Sequence, residues 1–394
     1  MTSLKSQYEA NIWKLYLVRF IRNLHFFGAI LIPFFTDWGG LNMTQILLLQ
    51  SIFMLSIFVF EIPTGAIGDR YGRKFSIGAG SMITVLGVIF YIISPNFWLF
   101  AIAEIFWGLS SALISGSDEA LLYDSLVKLK REKESKEMLG RHKAYSLMGI
   151  VISSLIGAVI ASQYGLRAPL MLSAVFMFFG GVVALTLKEV KIKYQHENYK
   201  KLLLSGIQYF REHKILRILT FDMLSIAIIA YFMIWFWQKL FINAGVQIIY
   251  FGAIQALFVL IQVFILRKPQ TFERLFGSKK NLLTYSALIC GVFFIIGGLT
   301  SSVPILLLVV IIGGGFGLAR APLYQTYFNK YIPSNQRATV LSTIAMVSTL
   351  GIAIANPIMG YLADWSLSYA MIILGVAAIS LNLYSKVEEN MLVD

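Results

Sequence analysis

The chain has 394 residues, of which 58% are hydrophobic and only 13% are charged. Soluble domains carry roughly 25% charged residues, so this composition argues against a large soluble protein. The net charge of +13 could indicate a nucleic-acid-binding protein, but the basic residues gather in alternate loops, which is a topology signal instead. Apolar runs of about 20 residues, long enough to cross a bilayer, predict an all-α membrane protein.

Twelve such runs predict twelve transmembrane helices in two six-helix halves. We predict a first half at 1–187, a cytoplasmic linker at 188–216 that contains an amphipathic helix, and a second half at 217–394. The predicted spans, in chain order, are 12–35, 44–64, 75–94, 97–126, 144–162, 168–187, 217–238, 247–267, 281–300, 303–327, 338–362 and 368–385.

The distribution of basic residues predicts the orientation. Loops around residues 36–42, 94–97 and 299–303 contain no Lys or Arg, whereas the loops between them are rich in both. This alternation predicts a multi-pass protein of the cytoplasmic (inner) membrane with both termini in the cytoplasm. The first apolar run is too long for a signal-peptide core and should remain as a helix. The single cysteine, Cys290, excludes an internal disulfide.

One loop carries the most specific motif. Residues 65–74, between spans 2 and 3, read Gly-Ala-Ile-Gly-Asp-Arg-Tyr-Gly-Arg-Lys, and a blurred copy occurs at 272–280. Gly65 would let a neighbouring helix approach closely. Asp69 would accept hydrogen bonds from a helix N-terminus or pair with Arg73. A small-residue helix end followed by an acid and a basic turn fits a short cytoplasmic loop.

This segment resembles the signature loop between helices 2 and 3 of the major facilitator superfamily, and the chain is similar to a less-studied prokaryotic branch of its transporters. The resemblance implies two parallel halves whose spans 1, 4, 7 and 10 line a central cavity. It also implies that Asp124 pairs with Arg73 and that Glu61 braces the same cytoplasmic gate. The predicted gating residues are Glu61, Gly65, Asp69, Arg70, Gly72, Arg73 and Asp124.

Ionisable residues at membrane depth are costly and concentrate on spans 1, 4 and 10. Arg19, Arg22 and His25 are three residues apart, which places them on one helical face. Arg19 and Arg22 are predicted to lie in the cytoplasmic half of the membrane, at a depth comparable to that of Asp118 and Glu119. Glu104 is predicted to lie nearer the outer face. A static ion-pair network is one interpretation. A direct role in substrate or proton binding is the other, and the predicted set is Arg19, Arg22, His25, Glu104, Ser115, Asp118, Glu119 and Arg320.

Two departures from the family argue against a drug–proton antiporter. Glu104 stands where the fourth span often carries an arginine linked to proton coupling. Span 5 keeps Gly149 and Gly157 but lacks the proline of the antiporter pattern. Either Asp118 or Glu119 is the predicted coupling acid, because adjacent helical residues point about 100° apart and only one can face a cavity squarely.

These features together predict a secondary active transporter that works by alternating access and is coupled to protons. The arginines favour a small-molecule substrate with an anionic group. An uncoupled facilitator and a non-transporting membrane sensor on the same fold remain the alternatives. No nucleophile–base or metal-ligand spacing occurs, so we expect no enzyme activity, cofactor or metal. The expected partners are substrate, protons and the lipid bilayer, with no nucleic acid, and we expect a monomer.

Overall fold

The computed structural model describes residues 4–190, 199–333 and 336–392, without the side chains of Ile62, Ala66, Asp69, residues 199–204 and Ala338. These ranges are mostly helical and contain no strand. Packing divides the chain into two units. The first is Met1–Lys193 together with Gln247–Ala256, and the second is Tyr194–Val246 together with Leu257–Asp394.

The first unit contains the helices before the linker. Over the described residues the α-helices longer than three residues are α1 (Leu4–Arg22), α2 (Met43–Tyr71), α3 (Arg73–Ile93), α4 (Phe97–Ile114), α5 (Ser117–Lys128), α6 (Ser135–Tyr164) and α7 (Ala168–Leu185). Helix α3 packs against α4, α5 and α7, while α1 packs against α5, α6 and α7.

The second unit contains the helix of the predicted linker and the helices that follow it. Over the described residues the α-helices are α8 (Tyr199–Glu212), α9 (Lys214–Asn243), α10 (Phe251–Arg267), α11 (Pro269–Phe276), α12 (Lys279–Leu299), α13 (Val303–Leu308), α14 (Gly315–Tyr331) and α15 (Arg337–Leu383). The first residues of α10 are grouped with the first unit. Helix α9 packs against α14 and α15, and α12 packs against the same two helices.

Ten stretches of the described chain are long and apolar enough to cross a membrane. The last of them, Thr339–Leu383, holds the predicted spans 11 and 12, because the extended backbone of Ser366 interrupts α15. The ten stretches therefore account for predicted spans 2 to 12, and the polar first span is the remaining one. The prediction of an all-α membrane fold is confirmed, and the protein is an integral multi-pass membrane protein.

The motif loop is closed by a carboxylate from the end of the first half. Gly72 joins α2 to α3 with φ 95° and ψ 157°, a conformation that is essentially restricted to glycine. The Glu189 carboxylate accepts hydrogen bonds from the backbone N–H groups of Arg73 (3.0 Å) and Lys74 (2.9 Å). It thus satisfies free donors at the start of α3 and places a negative charge at the positive end of the helix dipole.

The second half repeats this arrangement. The Glu389 carboxylate accepts from the backbone N–H groups of Lys279 (3.1 Å) and Lys280 (2.7 Å) at the start of α12. Gly277 ends the short helix that precedes this turn. Each half therefore uses an acid that follows its last long helix to cap its third membrane helix.

A helix forms within the predicted linker. The side chains of Leu202 and Leu203 lie outside the described residues, but α8 packs against α15 with Gly206 on Thr339. The Tyr209 hydroxyl donates to the carbonyl oxygen of Tyr331 (2.6 Å). Tyr209 and Phe210 of α8 pack against the hydrophobic core of the second unit, of which α8 is a part.

The cysteine of the chain lies inside the second unit. Cys290 on α12 is fully buried. A Cβ atom built at Gly317 on α14 would lie 2.8 Å from the Cys290 sulfur, so the thiol is enclosed by the contact between these helices.

We expect Gly72→Ala to destabilise the protein by about 1–3 kcal/mol, because alanine disfavours this backbone conformation. The new Cβ would also lie 2.7 Å from the Glu189 carboxyl carbon. The measurement is the thermal unfolding midpoint of the purified protein in detergent. Gly65→Ala is the matched control, since no described atom lies within 4 Å of its Cβ position and alanine favours helix. Equal midpoints for the two variants would contradict this account of the loop.

Candidate functional site

The first predicted span is interrupted where its charges are concentrated. Helix α1 ends at Arg22, and the chain is not helical again until Gly28. His25 lies in this interruption, so the prediction that Arg19, Arg22 and His25 share one helical face is wrong for His25. The His25 Nε2 atom is 2.8 Å from the carbonyl oxygen of Arg22, one of the carbonyls left free by the end of the helix.

Side chains satisfy the other backbone groups that this break frees. The Asn23 side-chain amide donates to the carbonyl oxygen of Arg19 (2.7 Å), and the Phe26 N–H donates to the Ser173 hydroxyl oxygen (3.1 Å). A Cβ atom at Gly157 would overlap the backbone of Phe26, so this glycine admits the broken segment against α6. Non-helical backbone at membrane depth requires such partners.

The fourth predicted span is also interrupted, at Gly116. This residue has φ 69°, which favours glycine, and it separates α4 from α5 within the predicted range 97–126. Asp118 and Glu119 consequently lie in the first turn of a new helix, where the helix dipole stabilises carboxylates. Two broken helices thus bring their charged residues into the same part of the first unit.

Asp118 is the centre of this charge cluster. Its Oδ2 atom lies 2.7 Å from Arg19 Nη1 on α1 and 3.7 Å from His142 Nε2 on α6. Asp118 is 4% exposed and His142 is 1% exposed. Arg22, one turn beyond Arg19, is close enough to interact electrostatically with Asp118. One buried acid therefore pairs with the guanidinium of Arg19 and has an imidazole within 4 Å, while Arg22 interacts with it through the electric field alone.

The neighbouring polar residues face a different environment. Glu119 and Ser115 are exposed, in contrast to Asp118. The Ser115 side chain lies close enough to the Glu61 carboxylate to interact with it, which brings α2 near the break in the fourth span. Glu61 therefore lies close to this part of the first unit.

Glu104 belongs to a separate cluster. Its buried carboxylate accepts a hydrogen bond from the Gln50 side-chain amide (2.8 Å) and lies beside Tyr91. It lies ten residues before the end of α4, about 15 Å along the helix axis at 1.5 Å per residue. The structure does not bring Glu104 into contact with Asp118 or the arginines of α1.

The predicted partners in the motif loop meet. Arg73 Nη1 donates a hydrogen bond to Asp124 at the end of α5, and both side chains are mostly buried. The Arg70 guanidinium lies over the ring of Tyr71, 5.4 Å from its centroid. The side chain of Asp69 lies outside the described residues. The open space around Gly65 shows no close helix approach among the described atoms.

Arg320 lies in the second unit, where its partner is Asp222. Its guanidinium is 1% exposed and donates to the Asp222 carboxylate, the carbonyl oxygen of Leu283, the Ser286 hydroxyl (3.1 Å) and Tyr324. The Tyr324 hydroxyl also donates to Asp222. This fully buried pair joins α9 to α14.

The two halves thus contain comparable ion pairs of opposite polarity. In the first unit a base on the first helix meets an acid on the fourth span, Arg19 with Asp118. In the second unit an acid on the first helix of the half meets a base on its fourth span, Asp222 with Arg320. Sequence analysis missed Asp222, His142, Glu189 and Glu389 as site residues. The sequence signal for Glu189 and Glu389 was that each half has an acid shortly after its last span.

The family follows from a comparison with known families. A model of the Major Facilitator Superfamily matches residues 15–269 and 271–388. The chain belongs to this superfamily. Similar proteins of this superfamily include an uncharacterized MFS-type transporter of Methanocaldococcus jannaschii, 23% identical over 90% of this chain and 92% of that protein. Another is Multidrug resistance protein 1 of Bacillus subtilis, 25% identical over 84% of this chain and 83% of that protein.

Solved structures support the same superfamily fold. The nucleoside transporter NupG matches with a TM-score of 0.80 and 13% identity, over 96% of this chain and 100% of that chain. A POT family transporter in complex with 5-aminolevulinic acid matches with a TM-score of 0.74 and 16% identity, over 97% and 96% of the two chains. These similarities show the major facilitator fold and confirm the resemblance carried by the motif loop.

We expect Arg320→Met to lower the stability by about 3–5 kcal/mol, because it leaves the buried Asp222 carboxylate without a counter-charge. The double variant Arg320→Met/Asp222→Leu should regain most of this loss, since no buried charge remains. Thermal unfolding midpoints of the two variants measure the effect.

The exposed pair Arg131–Glu134 offers the control, and Arg131→Met should cost about 0–1 kcal/mol. If Arg320→Met unfolds at the wild-type midpoint, the pair does not stabilise the second unit. If the double variant is as unstable as the single variant, the loss has another cause than the unpaired acid.

Proposed function

We propose that this protein is a proton-coupled secondary transporter that moves a small organic molecule across the cytoplasmic membrane by alternating access. The observation that carries the proposal is Asp118, a buried acid at a helix break, bonded to Arg19 and 3.7 Å from His142. Buried ionisable residues in membrane spans usually serve substrate or ion pathways. The basic loops support an orientation with both termini in the cytoplasm.

The coupling step uses the competition between a proton and a guanidinium for the same carboxylate. With Asp118 ionised, Arg19 is held by its charge. When a proton binds to Asp118, this attraction is lost and Arg19 can turn to another anion. His142 Nε2 lies 3.7 Å from Asp118 Oδ2, and an imidazole at this distance can transfer the proton. Release of the proton on the other side of the membrane restores the ion pair.

The same residues support a substrate with an anionic group. Arg19 and Arg22 are one turn apart on α1, and guanidinium groups bind carboxylates and phosphates through paired hydrogen bonds. Arg19 Nε has no hydrogen-bond partner among the described atoms. Buried donors of this kind commonly bind water or a ligand. The similarity to Multidrug resistance protein 1 of Bacillus subtilis favours an organic molecule over an inorganic ion.

A thermal-shift screen of the purified protein against organic anions and cationic dyes tests the substrate class. Ligands of the folded state raise the unfolding midpoint. We expect organic anions to stabilise the wild-type protein and to lose this effect in Arg22→Gln. Stabilisation by cationic dyes with none by anions would contradict the anionic substrate class.

The test of coupling is Asp118→Asn in proteoliposomes, with the strongest stabiliser from the screen as radiolabelled substrate. We expect this variant to lose accumulation driven by a pH gradient by more than tenfold and to keep counterflow exchange, because asparagine cannot carry the proton. Glu119→Gln should retain gradient-driven accumulation, since Glu119 is exposed and outside the ion pair.

Glu137→Gln removes an acid from an exposed pair with Arg141 and serves as the control for lost negative charge. Wild-type accumulation by Asp118→Asn would assign coupling to another acid. If the wild-type protein exchanges substrate across the membrane but does not accumulate it in response to a pH gradient, it is an uncoupled facilitator.

The pair of Arg73 and Asp124 is the proposed gating contact. We expect Asp124→Asn to slow exchange across the membrane severalfold while ligand binding changes less than threefold, because Asp124 lies six residues beyond Asp118 on α5, about 9 Å along the helix axis. Transport rates and equilibrium binding on the same preparation separate the two effects. A large loss of binding in a folded Asp124→Asn protein would place this residue in the binding site instead.

A further inference from the structure

A groove of about 320 Å³ lies in the second unit between the start of α9 and the end of α15. Lys214, Arg217 and Lys386 line it, and all three side chains are exposed. None of them forms an ion pair in the part of the chain that the structure describes. Asp222 lies at the inner end of the groove, but its charge is compensated by Arg320. Three uncompensated cations thus converge on one volume.

The groove also has an apolar part, which α9 and α15 supply beside the cations. Lys214 is the first residue of the helix, and Phe221 lies seven residues further on, about 10 Å along the axis. Phe221 is 65% exposed, and Ile218 and Leu381 extend the apolar surface. A soluble anion would contact only the part of the groove lined by Lys214, Arg217 and Lys386. A molecule with a charged head and a hydrocarbon chain would use both parts.

The first unit has a groove at the equivalent place, between the start of α1 and the end of α7. Its Lys14 Nζ atom donates to the carbonyl oxygen of Thr186 (3.0 Å). One of its cations is therefore already engaged by the protein. The groove of the second unit differs because its cations have no such partner among the described residues, and this difference supplies a matched control within the same chain.

We propose that the groove between α9 and α15 binds the headgroup of an anionic phospholipid. The phosphate lies against Lys214, Arg217 and Lys386, and an acyl chain follows Phe221 and Leu381. Basic pockets between membrane helices suit anionic headgroups. The Arg217 guanidinium supplies the planar fork that binds phosphate oxygens in pairs. The bound lipid joins the first helix of the second half to its last.

The experiment is native mass spectrometry of the purified protein from detergent micelles that contain equal amounts of phosphatidylglycerol and phosphatidylcholine. The wild-type protein should retain phosphatidylglycerol preferentially. The triple variant Lys214→Gln/Arg217→Gln/Lys386→Gln should lose this preference, with affinity falling about fivefold for each cation removed. The control Lys14→Gln/Lys188→Gln changes the groove of the first unit and should keep the wild-type preference.

Inorganic phosphate and glycerol 3-phosphate form a further arm, in which each competes with phosphatidylglycerol. Neither should displace the lipid, because neither contacts the apolar wall. The single variant Arg217→Gln serves if the triple variant does not fold, and it should weaken phosphatidylglycerol binding about fivefold. Displacement by inorganic phosphate would make the groove a free-anion site and overturn the proposal. Equal retention of the two lipids by the wild-type protein, or unchanged preference in the cation variants, would overturn it as well.

Discussion

A charge inside the hydrocarbon region needs an opposite charge close by, and this requirement organises both halves of the protein. Each half satisfies it with one buried pair between its first and fourth spans. Arg19 reaches Asp118 in the first unit, and Asp222 reaches Arg320 in the second. In both halves an ion pair joins the first and fourth spans, but the base is on the first span in the first half and on the fourth span in the second half. The packing contact is therefore shared, and the chemistry available to each half differs.

The pairs also differ in how completely they are satisfied. The Arg320 guanidinium donates to several groups and is enclosed by them, as expected of a structural contact. Asp118 instead lies beside two broken helices, and the nearby His142 Nε2 lacks a hydrogen-bond partner among the described atoms. The Nε atoms of Arg19 and Arg320 both lack one as well, so the difference between the pairs lies in the histidine and the helix breaks. Interrupted helices leave backbone groups to be satisfied by side chains, and this gives the first unit a polar interior. A structural ion pair in one half and a less enclosed acid in the other are the basis for proposing that proton coupling resides in the first half.

Sequence reasoning found the charged residues that are costly to place in an apolar span, and it missed the contacts that depend on residues distant in the chain. Arg19 and Asp118 were identifiable because charges within apolar runs are rare. The break after Arg22 was not predictable, since residues 24–27 contain neither glycine nor proline and depend on Ser173 from another helix. Glu189 and Glu389 follow the last spans of their halves, where an acid resembles any solvated loop residue. The Asp222–Arg320 pair could not be inferred from the pair in the first half, because the acid and the base occupy the opposite helices.

The enclosed position of Cys290 has a practical consequence for measuring motion in this protein. Its sulfur is sealed between α12 and α14 against Gly317, beyond the reach of maleimide reagents that label exposed thiols. The natural chain is therefore nearly equivalent to a cysteine-free background. Two cysteines introduced at exposed helix ends would be the ones that accept spin labels or fluorophores. Distances between those probes, followed as pH and ligand change, would test the proposed alternating access without first replacing Cys290.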